Sequence, residues 1–420
     1  MLIHQHTKPE LPEPQPSVSG SSVSMPRSLV MLFACASAIS VANVYYAQPL
    51  LDALAADFVI SQAAIGSVIT STQVGCALAL LLLVPLGDKM NRRSLMLIQL
   101  GALVVTLIGI GLVTSALALL IGMLMVGLLG TAMTQGLIAY AATAAAPAER
   151  GRVIGAAQGG VVIGLLLARV VAGGVADLAG WRGVYWFSAL IMLALAVMLW
   201  RFLPEQPRSL QQFTYLQLIF SMFTLLRRER VLYIRGGIAL LMFAAFSIFW
   251  SALVLLLSVA PYHFSHTVIG AFGLVGVVGA LAAARAGYWA DRGLGQWISG
   301  LALLLLLVSW GALWLTPHSL WFLVIGIIAL DLGGQAIHVT NQSMIFSTQT
   351  EAHSRLAGCY MLFYAVGSAL GAIASTTVFA AAGWFGVCLL GAGVSLAALI
   401  FWASTLNLKK SVSVPVQTSH

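Results

Sequence analysis

The chain has 420 residues, of which 60% are hydrophobic and only 8% are charged. A water-exposed protein surface needs about a quarter to a third of charged residues, so this composition excludes a soluble enzyme. Most of the surface is expected to face lipid. The net charge of +8 reflects membrane topology, as shown next, and does not indicate binding of nucleic acid.

Apolar runs long enough to cross a membrane recur along the whole chain. A helix needs about 20 apolar residues to span the hydrocarbon layer, and twelve such runs are present. We therefore predict an all-α membrane protein with twelve transmembrane helices. The predicted spans are 28–51, 63–86, 94–113, 116–140, 153–177, 184–203, 236–260, 267–290, 297–315, 320–341, 356–382 and 384–406.

The positions of Lys and Arg predict the orientation of these spans. With both termini in the cytoplasm, seventeen of the twenty Lys and Arg residues fall on the cytoplasmic side, as positively charged loops do in a bacterial inner membrane. The predicted domains are a disordered cytoplasmic tail (1–27), an N-terminal six-helix bundle (28–203), a cytoplasmic linker (204–235), a C-terminal six-helix bundle (236–407) and a second cytoplasmic tail (408–420).

The chain also contains an internal repeat with an offset of 203 or 204 residues. Gly180-Trp181-x-Gly183 recurs as Gly383-Trp384-x-Gly386, and Arg152-x2-Gly155 recurs as Arg355-x2-Gly358. An even number of helices in each repeat gives two bundles related by an axis along the membrane normal. Two such bundles with a seam between them predict a transporter that works by alternating access.

The loops after predicted spans 2 and 8 resemble a loop of the major facilitator superfamily. They read LGDKMNRR at 86–93 and GYWADRGLG at 287–295. Val84 and Asn91 stand where the family has glycine in the first copy. The resemblance covers essentially the whole chain and is greatest to the 12-helix drug and sugar efflux branch of bacteria, whose members mostly exchange protons for an exported small molecule.

This resemblance implies a fold and a mechanism. Two pseudo-symmetric six-helix bundles would enclose a cavity lined by spans 1, 4, 7 and 10, and spans 5 and 8 would meet across the seam. Ala168 and Arg169 replace the Gly-Pro of an antiporter motif, and Met123 replaces an arginine that many relatives use in proton transfer. The loop charges suggest a cytoplasmic gate formed by Asp88, Lys89, Arg92, Arg93, Asp291 and Arg292.

Ionisable residues inside the predicted spans are few, and each needs an explanation because it costs about 2.5–3.5 kcal/mol on insertion scales. Asp331 is the only carboxylate deep within a span, and Gln335, His338 and Gln342 share its helical face. We predict that Asp331 couples proton movement to transport, with His338 as a second proton site. The alternative is a permanent ion pair or a packing hydrogen bond.

Arg169 lies in the outer part of predicted span 5. Because arginine does not readily lose its proton, three roles remain open for it. It pairs with Asp331, attracts an anionic substrate, or caps backbone carbonyl groups at the seam. We group it with Asp331 and His338 as a candidate for proton coupling.

A second set of residues is predicted to line an amphipathic substrate cavity. The alternative is that the tyrosines belong to an interfacial aromatic belt and that the aromatic residues of span 7 face lipid. The predicted lining residues are Asn43, Tyr46, Gln135, Phe246, Trp250 and Gln335.

These patterns predict a secondary active transporter that exports a small drug- or sugar-like molecule in exchange for protons. An uptake symporter for a small metabolite is the alternative within this class, and a membrane receptor or scaffold that does not transport is the alternative outside it. The chain carries no His-Glu-x2-His, Gly-x-Ser-x-Gly or phosphate-binding loop, so no enzymatic activity, cofactor or metal is predicted. The expected partners are the substrate, protons and lipid, and a monomer is expected.

Overall fold

The computed structural model describes residues 25–87, 89–146, 149–203, 214–347 and 353–406, and every regular element in these ranges is helical. Helices satisfy all their backbone hydrogen bonds internally, which a lipid environment requires. The α-helices are α1 (Arg27–Tyr45), α2 (Leu51–Asp57), α3 (Ser67–Leu78), α4 (Val84–Leu86), α5 (Arg92–Leu112), α6 (Ala116–Ala144), α7 (Arg150–Phe202), α8 (Tyr215–Arg228), α9 (Arg230–Leu257), α10 (His266–Val275), α11 (Val277–Trp289), α12 (Gly295–Trp314), α13 (Leu320–Phe346) and α14 (His353–Leu406).

Within the described ranges, nine helical stretches are long and apolar enough to cross a membrane. Two of them, α7 and α14, have 53 and 54 residues. Each is kinked at one glycine with positive φ, 72° at Gly180 and 61° at Gly383, a conformation that glycine adopts without steric cost. The sequence repeat aligns these two glycines, so α7 and α14 each consist of two segments joined at an equivalent point.

The region predicted as a linker, residues 204–235, is partly helical. Residues 204–213 lie outside the described ranges, α8 follows, and α9 already begins at Arg230. Arg235 is 2% exposed, and its Nη1 donates hydrogen bonds to Ser299 Oγ at 2.7 Å and Asn341 Oδ1 at 3.4 Å. The seventh helix therefore starts six residues earlier than predicted. A charged residue usually indicates a loop, but here Ser299 and Asn341 accept hydrogen bonds from the Arg235 guanidinium, so that it lies buried within the helix. Residues 1–24 and 407–420, which make up most of the predicted tails, also lie outside the described ranges.

The N-terminal half (residues 25–203) and the C-terminal half (residues 230–406) meet along two helix pairs, α3 with α14 and α7 with α10. Gly66 lies against Thr376 in the first pair, and Gly270 lies against the backbone of Arg169 in the second. A Cβ at either glycine would come closer than 3.0 Å to these neighbours. The repeat aligns Gly66 with Gly270, so each half supplies an equivalent small residue where helices approach closely.

A candidate transport cavity between the two halves

A cavity of about 230 Å³ lies between the two halves. The N-terminal half contributes residues of α1, α3, α6 and α7, and the C-terminal half contributes residues of α9, α10, α13 and α14. The lining combines polar and aromatic side chains. It includes Tyr45, Gln48, Gln135, Arg169, Phe246, Trp250, Asp331, Gln335, His338 and Tyr364.

Hydrogen bonds between the halves lie on one side of this cavity. Thr70 Oγ1 donates to the Ala369 carbonyl at 2.8 Å, and Thr376 Oγ1 donates to the Ala63 carbonyl at 3.0 Å. The hydroxyl groups of Tyr45 and Tyr364 are also hydrogen-bonded to each other. We call this the closed end of the molecule, and the end at which α1 begins and α14 finishes the terminal end.

A histidine and two carboxylates also join the halves at the closed end, and we call this group the His266 latch. His266 Nε2 lies 3.0 Å from Asp52 Oδ1, and its Nδ1 lies 3.2 Å from Asp177 Oδ1. Asp177 also accepts hydrogen bonds from the backbone N–H groups of His266 and Thr267 at 3.0 and 2.8 Å. The N-terminal half thus caps the first turn of α10 with a negative charge.

Arg169 is buried at the closed side of the cavity. Its Nε donates to Gln48 Oε1 at 2.9 Å, and its guanidinium lies 4.0 Å from the ring centroid of Trp250. Its Nη1 donates to the carbonyl of Leu165 at 3.4 Å. Its guanidinium also lies 5.6 Å from the ring centroid of Tyr45. Among the described residues no ion pair joins Arg169 to Asp331, so the arginine is held mainly by Gln48 and by two cation–π contacts.

Asp331 is 5% exposed and lines the same cavity. In the part of the chain that the structure describes, no hydrogen bond or ion pair reaches its carboxylate. The carboxylate lies over Gly276 of α10, and a Cβ at Gly276 or Gly279 would come closer than 3.0 Å to Asp331. Two glycines therefore make room for an acidic side chain that has no hydrogen bond or ion pair in the described ranges, and whose charge interacts with that of Arg169 without direct contact.

His338 also faces the cavity, on one helical face with Asp331 and Gln335. Its Nδ1 lies 3.0 Å from Tyr360 Oη, and its Nε2 lies 3.4 Å from Gln342 Nε2. Phe243 packs edge-on against the imidazole, with 5.4 Å between the ring centroids. The polar face predicted on span 10 is thus directed into the cavity and towards Tyr360.

The predicted substrate-cavity residues divide into two groups. Gln135, Phe246, Trp250 and Gln335 line the cavity, whereas Asn43 and Tyr46 do not. Asn43 accepts a hydrogen bond from Ser188 Oγ at 2.6 Å and donates to the Ile39 carbonyl at 2.9 Å. Both side chains are buried. Neither is among the residues that line the cavity, to which α1 contributes Val41, Val44 and Tyr45.

The predicted gate residues lie at the terminal end, and Asp88 is outside the described ranges. Arg92 donates to the carbonyl groups of Gly87 and Ala139, and Arg93 donates to the carbonyl of Trp200. In the other half, Asp291 accepts from Ser343 Oγ at 2.5 Å, and Arg292 stacks over the ring of Tyr288. Lys89 is exposed. Each of these contacts stays within one half.

Sequence reasoning missed several residues of the site. Tyr45, Gln48, Gln73 and Tyr364 line the cavity, and Gln73 Nε2 lies 3.5 Å from Tyr364 Oη. Glutamines in apolar helices were a usable signal for Gln48 and Gln73. The His266 latch was also missed, although Asp52 and Asp177 lie at the ends of predicted spans 1 and 5 and His266 lies directly before predicted span 8.

Comparison with known proteins identifies the family. The sequence model of the Major Facilitator Superfamily matches residues 33–317. The chain is 40% identical over 386 residues to a protein of Escherichia coli O157:H7 named "Uncharacterized transporter YgaY", a match that covers 89% of this chain and 95% of the relative. It is 30% identical over 392 residues to the "Probable transporter SCO4007" of Streptomyces coelicolor, with coverage of 93% and 90%.

Solved structures show the same fold. A bacterial homologue of the human lysosomal transporter Spinster, in an inward-facing and unoccupied conformation, superposes with a TM-score of 0.77 over 93% of this chain and 99% of that chain, at 15% identity. The fold and the cavity thus define a multi-pass membrane transporter. The chain belongs to the Major Facilitator Superfamily, and it is a secondary transporter and not an enzyme.

Proposed function

We propose that this transporter exports a small amphipathic molecule, drug- or sugar-like, in exchange for protons by alternating access. The observation that carries this proposal is the Asp331 carboxylate, which faces a cavity between two halves that are joined at one end. Asp331 is the only carboxylate among the described lining residues. A carboxylate without a protein partner takes up and releases a proton as its access to water changes.

Twelve passes in two six-helix halves fit the described helices. The nine long stretches include α7 and α14, which supply two passes each when divided at Gly180 and Gly383. The predicted eighth span, which begins after His266 and is helical through the rest of α10 and α11, supplies the twelfth. The distribution of Lys and Arg supports a bacterial inner membrane with both termini in the cytoplasm, and a monomer suffices because one chain encloses the cavity. In this orientation the structure is closed towards the outside.

The charged loops at the terminal end are the proposed cytoplasmic gate. With the cavity closed at the other end, the described gate contacts stay within each half. Contacts across the halves between Asp88, Lys89, Arg92, Arg93, Asp291 and Arg292 would form when the cavity opens outwards. Exposed ion pairs contribute about 0–1 kcal/mol each, which is enough to bias an equilibrium between two conformations.

Proton exchange is tested in proteoliposomes loaded with a pH-sensitive dye. Compounds are first selected because they raise the unfolding temperature of the purified protein, and they are then added outside. Exchange predicts that the lumen becomes alkaline, since inward movement of substrate drives protons outwards. This sign does not depend on how the protein is oriented in the vesicles. In Asp331→Asn the pH change is expected to disappear, even at compound concentrations that saturate the variant.

Asp57→Asn is the matched control, because Asp57 lies outside the cavity and contacts Trp181 and Arg182. It should retain the pH change. Acidification of the lumen would identify a symporter and contradict export by exchange. Substrate uptake without any pH change, or an unchanged response in Asp331→Asn, would contradict the role of Asp331.

A further inference from the structure

We propose that the transported molecule is a small zwitterion with an apolar body, whose ammonium group binds Asp331 and whose anionic group binds Arg169. The inference rests on the proposed function in one respect, namely that this cavity is the transport site. It adds the chemical class of the substrate, which follows from how the two charges are placed.

The described lining of the cavity holds one permanent cation and one carboxylate, Arg169 and Asp331. Because no ion pair joins them in the described ranges, neither charge neutralises the other by direct contact. Buried charges are costly unless they are paired. A ligand that carries both signs supplies a partner to each and leaves the cavity neutral overall.

Arg169 keeps a free edge for an anionic group. Its Nε and Nη1 are occupied by Gln48 and the Leu165 carbonyl, and one face of the guanidinium lies over Trp250. Its Nη2 makes no hydrogen bond within the described part of the chain. The contacts to Gln48 and Trp250 fix the orientation of the guanidinium, so that little side-chain entropy remains to be lost on binding.

Both side chains pass the same face of the α10 region. Gly273 and Gly276 lie about one turn apart on this face. A Cβ at Gly273 would lie 3.3 Å from Arg169 Cδ, and one at Gly276 would meet the Asp331 carboxylate. The Arg169 stem and the Asp331 carboxylate therefore contact α10 at points about 4.5 Å apart along the helix axis. Two oppositely charged side chains that border one cavity from neighbouring turns favour a compact zwitterion as the ligand.

Aromatic residues of α9 supply the apolar wall. Phe243, Phe246 and Trp250 line the cavity, and Phe246 and Trp250 lie one turn apart on the helix. A ligand with a single charge is disfavoured, because a pure anion is repelled by Asp331 and a pure cation leaves Arg169 without an anionic partner. Charged groups of like sign brought together at a binding site repel each other and weaken binding.

The test compares three probes of nearly equal size, phenylalanine, phenylalaninamide and N-acetylphenylalanine. The amide lacks the carboxylate, and the acetyl derivative lacks the ammonium group. Binding is measured by calorimetry in nanodiscs at about pH 6.5, where the amide retains its positive charge. The zwitterion should bind about tenfold more tightly than either derivative, because each derivative is unable to form one of the two charge-assisted hydrogen bonds.

Two variants assign the contacts. Arg169→Gln should lose the preference for phenylalanine over its amide, and Asp331→Asn should lose the preference over the acetyl derivative. Arg169→Lys retains the positive charge and should retain part of the preference for phenylalanine over its amide. These are ratios measured on one protein sample, so partial misfolding, which lowers binding of all three probes, does not mimic them.

Equal or tighter binding of either derivative to the unmodified protein would overturn the inference, and so would the absence of binding by all three probes at millimolar concentration. Preferences that survive in both variants would also overturn it. The outcome is separate from the proton test, because binding needs no gradient. Proton exchange with a purely cationic compound would support the proposed function and contradict a zwitterionic substrate. Binding of the zwitterion without proton movement would support the substrate class and contradict proton exchange.

Discussion

Arg169 and Asn43 show how a polar side chain in an apolar helix finds partners. The Arg169 guanidinium is held by Gln48 and by the ring of Trp250, while Asn43 is held by Ser188 and by the backbone of its own helix. Only Arg169 borders the cavity. A polar residue within a membrane helix therefore marks either a ligand site or a packing contact, and its neighbours decide which.

Replacing Asn43 should affect stability and not substrate binding. Asn43→Ala removes the acceptor of the Ser188 hydroxyl, and hydrogen bonds between membrane helices contribute about 1 kcal/mol or less on average. We expect a lower unfolding temperature in detergent with unchanged substrate affinity. Gln135→Ala is the comparison, since Gln135 lines the cavity and should change affinity at nearly unchanged stability. A change of affinity in Asn43→Ala together with a change of stability in Gln135→Ala would instead assign Asn43 to the substrate site.

At the scale of helices, glycines determine where the halves touch. Gly173 of α7 lies against the backbone carbonyl of His266, and Gly270 lies against the backbone of Arg169. These contacts involve main-chain atoms, which cannot rotate away as the end of a flexible side chain can. The α7–α10 pair therefore closes only while both positions lack a side chain.

A methyl group at Gly173 should hold the closed end apart. In Gly173→Ala the new Cβ would come closer than 3.0 Å to the His266 carbonyl, so the closed conformation should lose population and transport should slow. Spin labels at Leu178 and Val259, both exposed near this end, should report longer distances in a cysteine-free background. Gly159 lies on the same helix, and a Cβ at this position would have nothing within 4 Å. Gly159→Ala should therefore change neither the distances nor the transport rate. Identical distance distributions in both variants would contradict this account of the seam.

At the scale of the whole molecule, the described hydrogen bonds between the halves concentrate at one end, and the His266 latch is the titratable part of that closure. His266 precedes the predicted eighth span. The hydrogen bond to Asp52 raises the pKa of His266, burial opposes this, and the contacts with Asp177 raise it further. The closed state thus binds the proton more tightly than an open state in which the carboxylates have moved away.

Closure should therefore depend on pH. The stabilisation is complete below the pKa of an unpaired histidine, about 6.5, and is lost as the pH rises through the raised pKa of His266 in the closed state. Labels at Leu178 and Val259 should accordingly separate as the pH rises above about 6.5 and through the raised pKa of His266. His266→Gln should remove this dependence, and His263→Gln, which alters a histidine nearby that lies outside the latch, should retain it. If the pH response persisted in His266→Gln, the pH dependence of closure would have to come from other titratable groups.

The sequence by itself determined the helical membrane fold, the equivalence of Gly180 and Gly383 in the repeat, and the small number of ionisable groups that needed a role. These features depend on the length of apolar runs and on a fixed offset along the chain, which are local or linear properties. The tertiary structure decided which face of each helix borders the cavity, placing Tyr45 and Gln48 there and Asn43 and Tyr46 elsewhere. It also decided that Asp52, Asp177 and His266 meet. The lipid and the protein interior are equally apolar, so hydrophobic periodicity does not distinguish a helix face that packs against protein from one that faces lipid. Only the packing of the helices against one another decides which face borders the cavity.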